Sequence, residues 1–561
     1  MVLTERVVHL LTERGVSPSE LMVLTFTRRA AGEMIARIIA RLSESGWSKP
    51  EAGIAGMLIG TFHSVALRIL QAHGDVLGYT KERLTVIDED DADLLMKEVC
   101  SDLGYLRNKK WTDGLSWKKV KKFRDDHYCG RAPAKGVDHE GRIYLEYQTR
   151  LFGMNALDFG MLLIQCRRLF AASEVILRQY HQTIKHVLVD EIQDTDAVQY
   201  NLHETFSPPA TFFAVGDFRQ CIYNFRGARP DLALERHPDA EIIDLRDCFR
   251  CADSIIGHAN QLIAHNEGNI GEPMIGKTKR QGAVPSTVGR TSSLVYRLQV
   301  VHQIGYAWSD IAVMARSHRP LKRLAEFMKD AGIPHHKVGQ GFDVCSTDPF
   351  REMIAAMRLV VNKKDDLAFL RLKDQLAPHD FKAIQVMAAK EGCSLWDAMI
   401  RTSPVQAATH PFVKKIAEAT ADNAAQKFAE ILTTITPDTL AFAAKHFNRM
   451  TIEDALRFCS LRDSQDDIPG GNRVLLLTVH AAKGLEWPCC IVLDMNEGNF
   501  PSGLALKDPR GAEEERRVAY VAFTRAREQL VLHYRRAEDQ NVERGVKAPS
   551  RFLKESGITV I

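Results

Sequence analysis

Residues 187–196, VLVDEIQDTD, run from apolar side chains straight into a cluster of carboxylates. A strand of a parallel sheet is buried on both faces and gathers its functional groups at its carboxyl end, so this pattern delivers acids to the rim of a site. Val187, Leu188 and Val189 supply the strand, and Asp190 and Glu191 follow it. An acid so placed can hold Mg²⁺ on the β- and γ-phosphates of a nucleotide, and its neighbour can activate the attacking water. A second stretch, FFAVGDFRQCIYNFRGA from Phe212 to Ala228, extends the set. Gly216 and Asp217 end a strand, Gln220 is placed to reach a γ-phosphate, and Tyr223 and Phe225 set rings beside Arg226. Aromatics among basic residues stack single-stranded bases at about 1–3 kcal/mol per base. Taken alone, the two rings read as core.

Positioning these groups requires alternating helices and strands. An amphipathic helix opens the chain, with Val2, Leu3, Val7, Leu10 and Leu11 at helical spacing. LMVLTFT (21–27) and MLIGTF (57–62) read as buried strands, each followed by a helix. Alternation resumes at the acidic strand and at TFFAVGD (211–217). It recurs in AVMARS (312–317), RVLLLTVH (473–480) and CCIVLDM (489–495). Such alternation implies parallel sheets covered by helices on both faces. Residues 88–150 and 370–468 lack comparable strands and read as helical insertions. The first carries the basic stretch 107–124 with Trp111 and Trp117, either a solvated helix face or a phosphate contact.

Composition narrows the class. A chain of 561 residues implies several domains, and 45% hydrophobic with 26% charged residues is ordinary for a globular protein. Net charge is only +3, so a nucleic-acid partner must meet local basic patches. Eleven cysteines without framework spacing suggest a reducing, cytoplasmic setting. Cys248 and Cys251 form a CxxC with no second pair or His nearby, and read as two incidental thiols. No apolar run approaches the roughly 20 residues of a membrane span, and the N-terminus is not a signal peptide.

Seven segments occur in order: LTFTRRAAGEM, IGTFHSVALRIL, VLVDEIQDTD, VGDFRQCIYNFRGA, LRDCFR, LLLTVHAAKGLEW and EEERRVAYVAFTRARE. Together they resemble the UvrD/Rep family of superfamily 1 DNA helicases, motifs Ia, Ib, II, III, IV, V and VI. The resemblance implies an α/β fold of two RecA-like P-loop NTPase domains, each with a mainly helical insertion. The first domain would take 1–87 and 151–250 with its insertion at 88–150. The second would take 251–369 and 469–561 with its insertion at 370–468.

The resemblance also implies roles. Asp190 would bind Mg²⁺ and Glu191 would activate water. Gln220, Arg250 and Arg525 would touch the γ-phosphate of ATP, with Phe249 stacking on adenine where the family usually has Tyr. Glu486 would lie near the ribose. Phe26, Thr61, His63, Tyr223 and Phe225 match positions along the single-strand path, although His63 also reads as a core or capping histidine. Arg516 and Arg517 are expected to be solvated or paired with Glu513–Glu515. The implied activity is ATP-dependent 3′→5′ translocation on single-stranded DNA, with single/double-strand junctions as substrates and no membrane partner.

One part of the family pattern is missing from these residues. A GxGKT loop should precede the segments above, and its threonine would fall just before Met1. The chain is therefore expected to be N-terminally truncated and weak in ATP hydrolysis, which the codons upstream of Met1 would test. A G-x-x-x-x-G-K-T match does occur at Gly271–Thr278. It follows a helix rather than a strand and runs into KRQGAVPS, so it is expected to be a decoy. A non-catalytic DNA-binding remnant is the alternative, and the intact acids and arginines speak against it. A helicase–nuclease ranks last, because too few residues follow motif VI for a nuclease domain.

Overall fold

The computed structural model describes residues 2–80, 84–107, 110–128, 138–206, 210–224, 227–267, 271–278, 282, 286–288, 291–338, 344–376, 381–432, 436–460, 470–535 and 548–559. The chain divides into two compact units. The first comprises Met1–Asp190, Ala197–Phe213 and Phe342–Arg462, the second Glu191–Asp196, Ala214–Gly341 and Asp463–Ile561.

A four-stranded sheet organises the first unit. Its strands are β1 (Leu21–Thr25), β2 (Leu58–Thr61), β3 (His186–Val189) and β4 (Thr211–Ala214), in the order β2-β1-β3-β4. β1 runs parallel to both neighbours, with Met22 opposite Leu58 on one side and Val187 on the other. Every residue of β1 is buried, as a central strand covered on both faces requires. Threonines convert strand into helix here. The Thr27 hydroxyl accepts from Ala30 N at the start of the helix Arg28–Glu44, and Thr61 accepts from Ser64 N at the start of Phe62–His73. Each satisfies an N–H that the first helical turn leaves unpaired.

TFFAVGD was expected to stay extended to residue 217, but β4 ends at Ala214. The Val215 carbonyl accepts instead from Ile192 N at 3.1 Å. At Gly216 a Cβ would stand 2.5 Å from Gln193 Oε1 and 2.7 Å from Ile192 Cγ2, so glycine alone lets the segments approach.

The rest of the first unit is mainly helical. Residues 88–150 form the helices Glu89–Asp102, Trp117–Tyr128 and most of His139–Gly153 around Leu95, Val99, Ile143 and Tyr147. The second helical stretch begins at Asp348–Val361 and continues to Ile452–Ser460, around Met357, Phe369, Trp396 and Phe447. The two share an ion cluster in which Arg358 meets Asp365 at 2.8 Å and also pairs with Asp91, while Arg371 reaches Asp91 as well. Leu367 adds an apolar contact to the first helical core.

A six-stranded sheet organises the second unit. β5 (Ser286–Val288), β6 (Ile311–Ala315), β7 (His335–Lys337), β8 (Val474–Thr478), β9 (Trp487–Leu493) and β10 (Ala526–His533) lie in the order β5-β10-β9-β6-β8-β7. All its pairings are parallel. Cys489 and Cys490 are buried in β9, as their apolar run implies. No helix among the described residues is long and apolar enough to cross a membrane.

Candidate functional site

At the end of β3 the Asp190 N–H still donates to Leu24 O at 2.8 Å, which fixes its carboxylate at the sheet's rim. The next residue leaves the extended path, because Glu191 takes φ +53°, ψ +44° and starts a short 3₁₀ turn, Ile192–Asp194. A left-handed non-glycine residue stores strain and survives only where its surroundings hold it.

Within the second unit, what holds Glu191 is a chain of hydrogen bonds. The fully buried Gln193 donates from Nε2 to Glu191 Oε2 and accepts the Asp217 N–H at 3.0 Å through Oε1. Asp217 Oδ2 in turn accepts from Gln220 Nε2 at 2.8 Å. Gln220 Oε1 accepts from Arg525 Nη2 at 3.1 Å. Acid, amide, acid, amide and guanidinium are thus joined in one line.

Arg525 is anchored by its own surroundings. It sits 1% exposed at the start of β10, donating to Val521 O at 3.0 Å, Leu485 O at 3.3 Å and Thr524 Oγ1 at 3.1 Å. Burial, helped by the like charge of Arg250, pulls its guanidinium down to about 10, so it keeps its charge at neutral pH. Arg250 pairs through Nε with Glu486 Oε2, and Arg527 approaches the other Glu486 oxygen at 3.8 Å. Phe249 beside it is 69% exposed, an open ring face of the kind a flat base covers.

Two further residues join the site that the sequence reading left without roles. Lys483 pairs with Asp194 Oδ2, donates to Gln220 O at 2.6 Å and lies 5.2 Å from the centre of the Tyr223 ring. The signal was present in the quoted segments, as the lysine of HAAKGLEW and the next-to-last acid of DEIQDTD, but nothing there shows that they meet. Tyr223 is buried and donates its hydroxyl to His480 O at 3.1 Å. Phe225 lies outside the described residues.

The first unit carries the remaining DNA-side candidates. Phe26 is half-buried after β1, and Thr61 is buried in its capping role. His63 stacks on Phe159, with ring centroids 3.8 Å apart and planes 17° apart. Burial pulls its imidazole down to about 3, so it stays neutral. Phe159 is 41% exposed, an unassigned ring whose place next to His63 only the fold reveals.

Other expectations meet different outcomes. Arg516 pairs with Glu555 at 2.8 Å and with Asn266, not with Glu513–Glu515, and Arg517 donates to Cys221 O at 3.1 Å. Near neighbours on a helix face different directions, so adjacency in sequence does not make a pair. Glu515 instead meets Arg316 at 2.7 Å. In the basic stretch, Arg124 is buried and pairs with Glu89 and Asp93, while Lys121 meets Glu89 at 2.9 Å. Those cations are spent on the fold.

The Gly271–Thr278 match is no phosphate loop. Ile275–Gly276 pairs as a short parallel strand with Asp247–Cys248, and Lys277 N donates to Cys248 O at 3.0 Å. A phosphate cradle needs those amides free at a helix N-terminus.

Comparison with known proteins agrees with the geometry. The family profile for the UvrD/REP helicase N-terminal domain matches residues 1–241, and that for the UvrD-like helicase C-terminal domain matches 243–447 and 423–537. DNA helicase II of Haemophilus influenzae is 27% identical over 99% of this chain and 83% of its own length. ATP-dependent DNA helicase UvrD1 of Mycobacterium tuberculosis is 28% identical over 99% and 81%, and DNA helicase II of Escherichia coli is 25% identical over 99% and 83%. With parallel α/β sheets, both profiles in order and relatives aligned along nearly its whole length, the chain belongs to the UvrD/Rep family of ATP-dependent DNA helicases.

Proposed function

We propose that this chain translocates 3′→5′ on single-stranded DNA and opens duplex at single/double-strand junctions, driven by ATP with Mg²⁺. The observation that carries the reading is the hydrogen-bonded line from Glu191 to Arg525. It joins a general base to a cationic finger through two amides, one of which, Gln220, is three residues from Tyr223. Glu191 accepts the proton of the attacking water, while Arg525 and Arg250 stabilise charge on the transferring phosphoryl group. Asp190, a hard oxygen ligand at a strand end, fits Mg²⁺, which when bound neutralises β- and γ-phosphate charge.

On the DNA side of the first unit, Phe26, Thr61 and His63 act with Phe159, whose exposed ring extends the His63 stack, and in the second unit Tyr223 is a DNA contact by its place in the motif. Phe225 belongs with them by its place in the motif. The proposed domains are 1–87 with 151–250 and 251–369 with 469–561, carrying insertions at 88–150 and 370–468. Among the described residues the Gly271–Thr278 match forms no phosphate cradle, and weak hydrolysis is part of the proposal; one lost preorganised donor already costs about 10²–10³ in rate.

The test is ATPase activity with and without single-stranded DNA, on this chain and on one carrying an in-frame GxxxxGK[ST] segment ahead of it. Unwinding is then compared on 3′- and 5′-tailed duplexes. Stimulation by DNA and a 3′-tail preference are expected. DNA binding without stimulated hydrolysis in either chain would sink the reading in favour of a non-catalytic remnant.

A further inference from the structure

Two turns and an aromatic ring meet at one buried ammonium group. Lys483 follows the short helix Val479–Ala482, which continues β8, and is 6% exposed. It pairs with Asp194 Oδ2, donates to Gln220 O at 2.6 Å and stands 5.2 Å from the centre of the Tyr223 ring. Asp194 closes the 3₁₀ turn Ile192–Asp194, which the left-handed Glu191 begins. Gln220 closes a second such turn, Phe218–Gln220. The Tyr223 hydroxyl donates to His480 O at 3.1 Å, back on the helix that leads to the lysine. Lys483, Tyr223 and His480 thus close a loop of contacts around the two turns.

The character of each contact bears on what the lysine does. Its ammonium carries three donors, enough to bind more than one acceptor at once. The Asp194 side chain is 1% exposed, so the ion pair is little screened by water, and loss of one partner would strand a buried charge. On the other turn Lys483 grips the main chain of Gln220 and leaves its side-chain amide to Asp217 and Arg525. Glu191 holds a strained conformation that persists only while its turn is held.

We propose that Lys483 is a positioning residue that keeps the Glu191 turn and the Gln220 turn in fixed relation and passes the position of the Tyr223 ring to both. Its catalytic consequence rests on Glu191 and Gln220 acting at the nucleotide, and its DNA consequence on Tyr223 as a base contact. A base loading Tyr223 bears on the ring that Lys483 touches, and the same ammonium reaches both turns. A misplacement of about 1 Å at a reacting group costs about 10²-fold in rate, so a small movement of the ring is enough to separate idle from active geometry.

Lys483→Met, Lys483→Arg and the double variant Asp194→Asn/Lys483→Met, which strands no buried charge, are made in this chain and in one carrying a GxxxxGK[ST] segment ahead of it. Backbone hydrogen exchange is followed over 191–196 and 216–224 in the 561-residue chain. On the longer chain kcat and KM for ATP are measured with and without oligothymidylate. Both methionine variants should exchange faster than the parent over those two stretches, with β6, β8, β9 and β10 unchanged. With DNA their kcat should fall about 10²-fold and the ratio of DNA-stimulated to basal turnover about tenfold, while KM and oligothymidylate affinity stay within about threefold. Lys483→Arg, which keeps the charge, should recover most of that ratio. Unchanged exchange over both stretches, or a turnover ratio equal to the parent's in the methionine variants, would overturn the proposal. An ion pair serving stability alone lowers the folded fraction and leaves the ratio as it was. If the longer parent shows no DNA-stimulated turnover, the nucleotide-site reading fails and the catalytic consequence with it, while the exchange rates still decide whether Lys483 holds the turns.

Discussion

Arg525 donates from Nη2 to Gln220 Oε1 at 3.1 Å, tying the start of β10 to the turn that follows β4. The same guanidinium is fixed by three further acceptors, so its orientation is settled before any phosphate arrives. Preorganised charge of this kind costs little reorganisation during reaction.

In the chain carrying a GxxxxGK[ST] segment ahead of it, replacing Arg525 by Ala or Gln220 by Ala should therefore lower DNA-stimulated ATPase, for the arginine by about 10³-fold or more. The two effects should not add. A double-mutant cycle on kcat should return a coupling of about 0.5–3 kcal/mol, as for residues sharing one network. Additive losses would show that the contact carries no coupling.

Glu191→Gln should abolish turnover while leaving binding of labelled ATP nearly intact, since an amide cannot take the water's proton. Gln193→Ala should act through Glu191 and lower kcat more than it raises KM. Equal changes in both parameters would assign Gln193 to binding instead.

Phe249→Ala should weaken ATP binding by about 0.5–1.5 kcal/mol, the value of an aromatic contact, whereas Phe249→Tyr keeps the ring and should bind like the parent. Titration with labelled ATP separates the two. Equal affinity in all three proteins would exclude stacking.

Phe159→Ala and His63→Ala should each cost about 1–3 kcal/mol in affinity for oligothymidylate, measured by anisotropy. With the His63 imidazole held near 3 by burial, this contact should not titrate between about pH 6 and 8, around the ordinary histidine value. A pH-dependent difference between parent and His63→Ala would contradict a neutral stacking ring.

Removing one partner of the buried ion cluster should be costly. Arg358→Ala should destabilise the chain by about 3–5 kcal/mol in urea, because Asp91 and Asp365 remain buried. Burial raises the Asp91 carboxyl, but Arg358 and Arg371 together outweigh it, and the net direction is down. A depressed carboxyl stabilises the fold above its unfolded pKa, and that stability is lost as pH falls through the folded value. Asp91→Asn should accordingly lose more stability at neutral pH than below about pH 4. A gap that stays constant with pH would refute the linkage.

Much of this architecture could be read from local pattern. The apolar runs of β1, β3, β6, β8 and β9 are continuous because both faces of a parallel strand are covered, and each appeared within a few residues of its place. The short strands His335–Lys337 and Ser286–Val288 carry no such run, and pairing with a neighbour makes them strands. Thr27 and Thr61 announce helix starts through their own side chains, which act locally. In the basic run 107–124 the acids that pair with Arg124 and Lys121 lie on another helix, so the run by itself does not show which of its cations are taken.

By itself, the sequence determined the chemical inventory: acids after a buried strand, a glutamine after the next, arginines later and seven motifs in order. Residue type and short-range periodicity are properties of a single segment, so one chain suffices to read them. The tertiary structure decided which of these groups meet. Gln193 bridges Glu191 to Asp217, Gln220 faces Arg525, and Lys483 is taken by Asp194. Such contacts join residues up to hundreds of positions apart, and their energies depend on burial and distance, which no linear pattern contains.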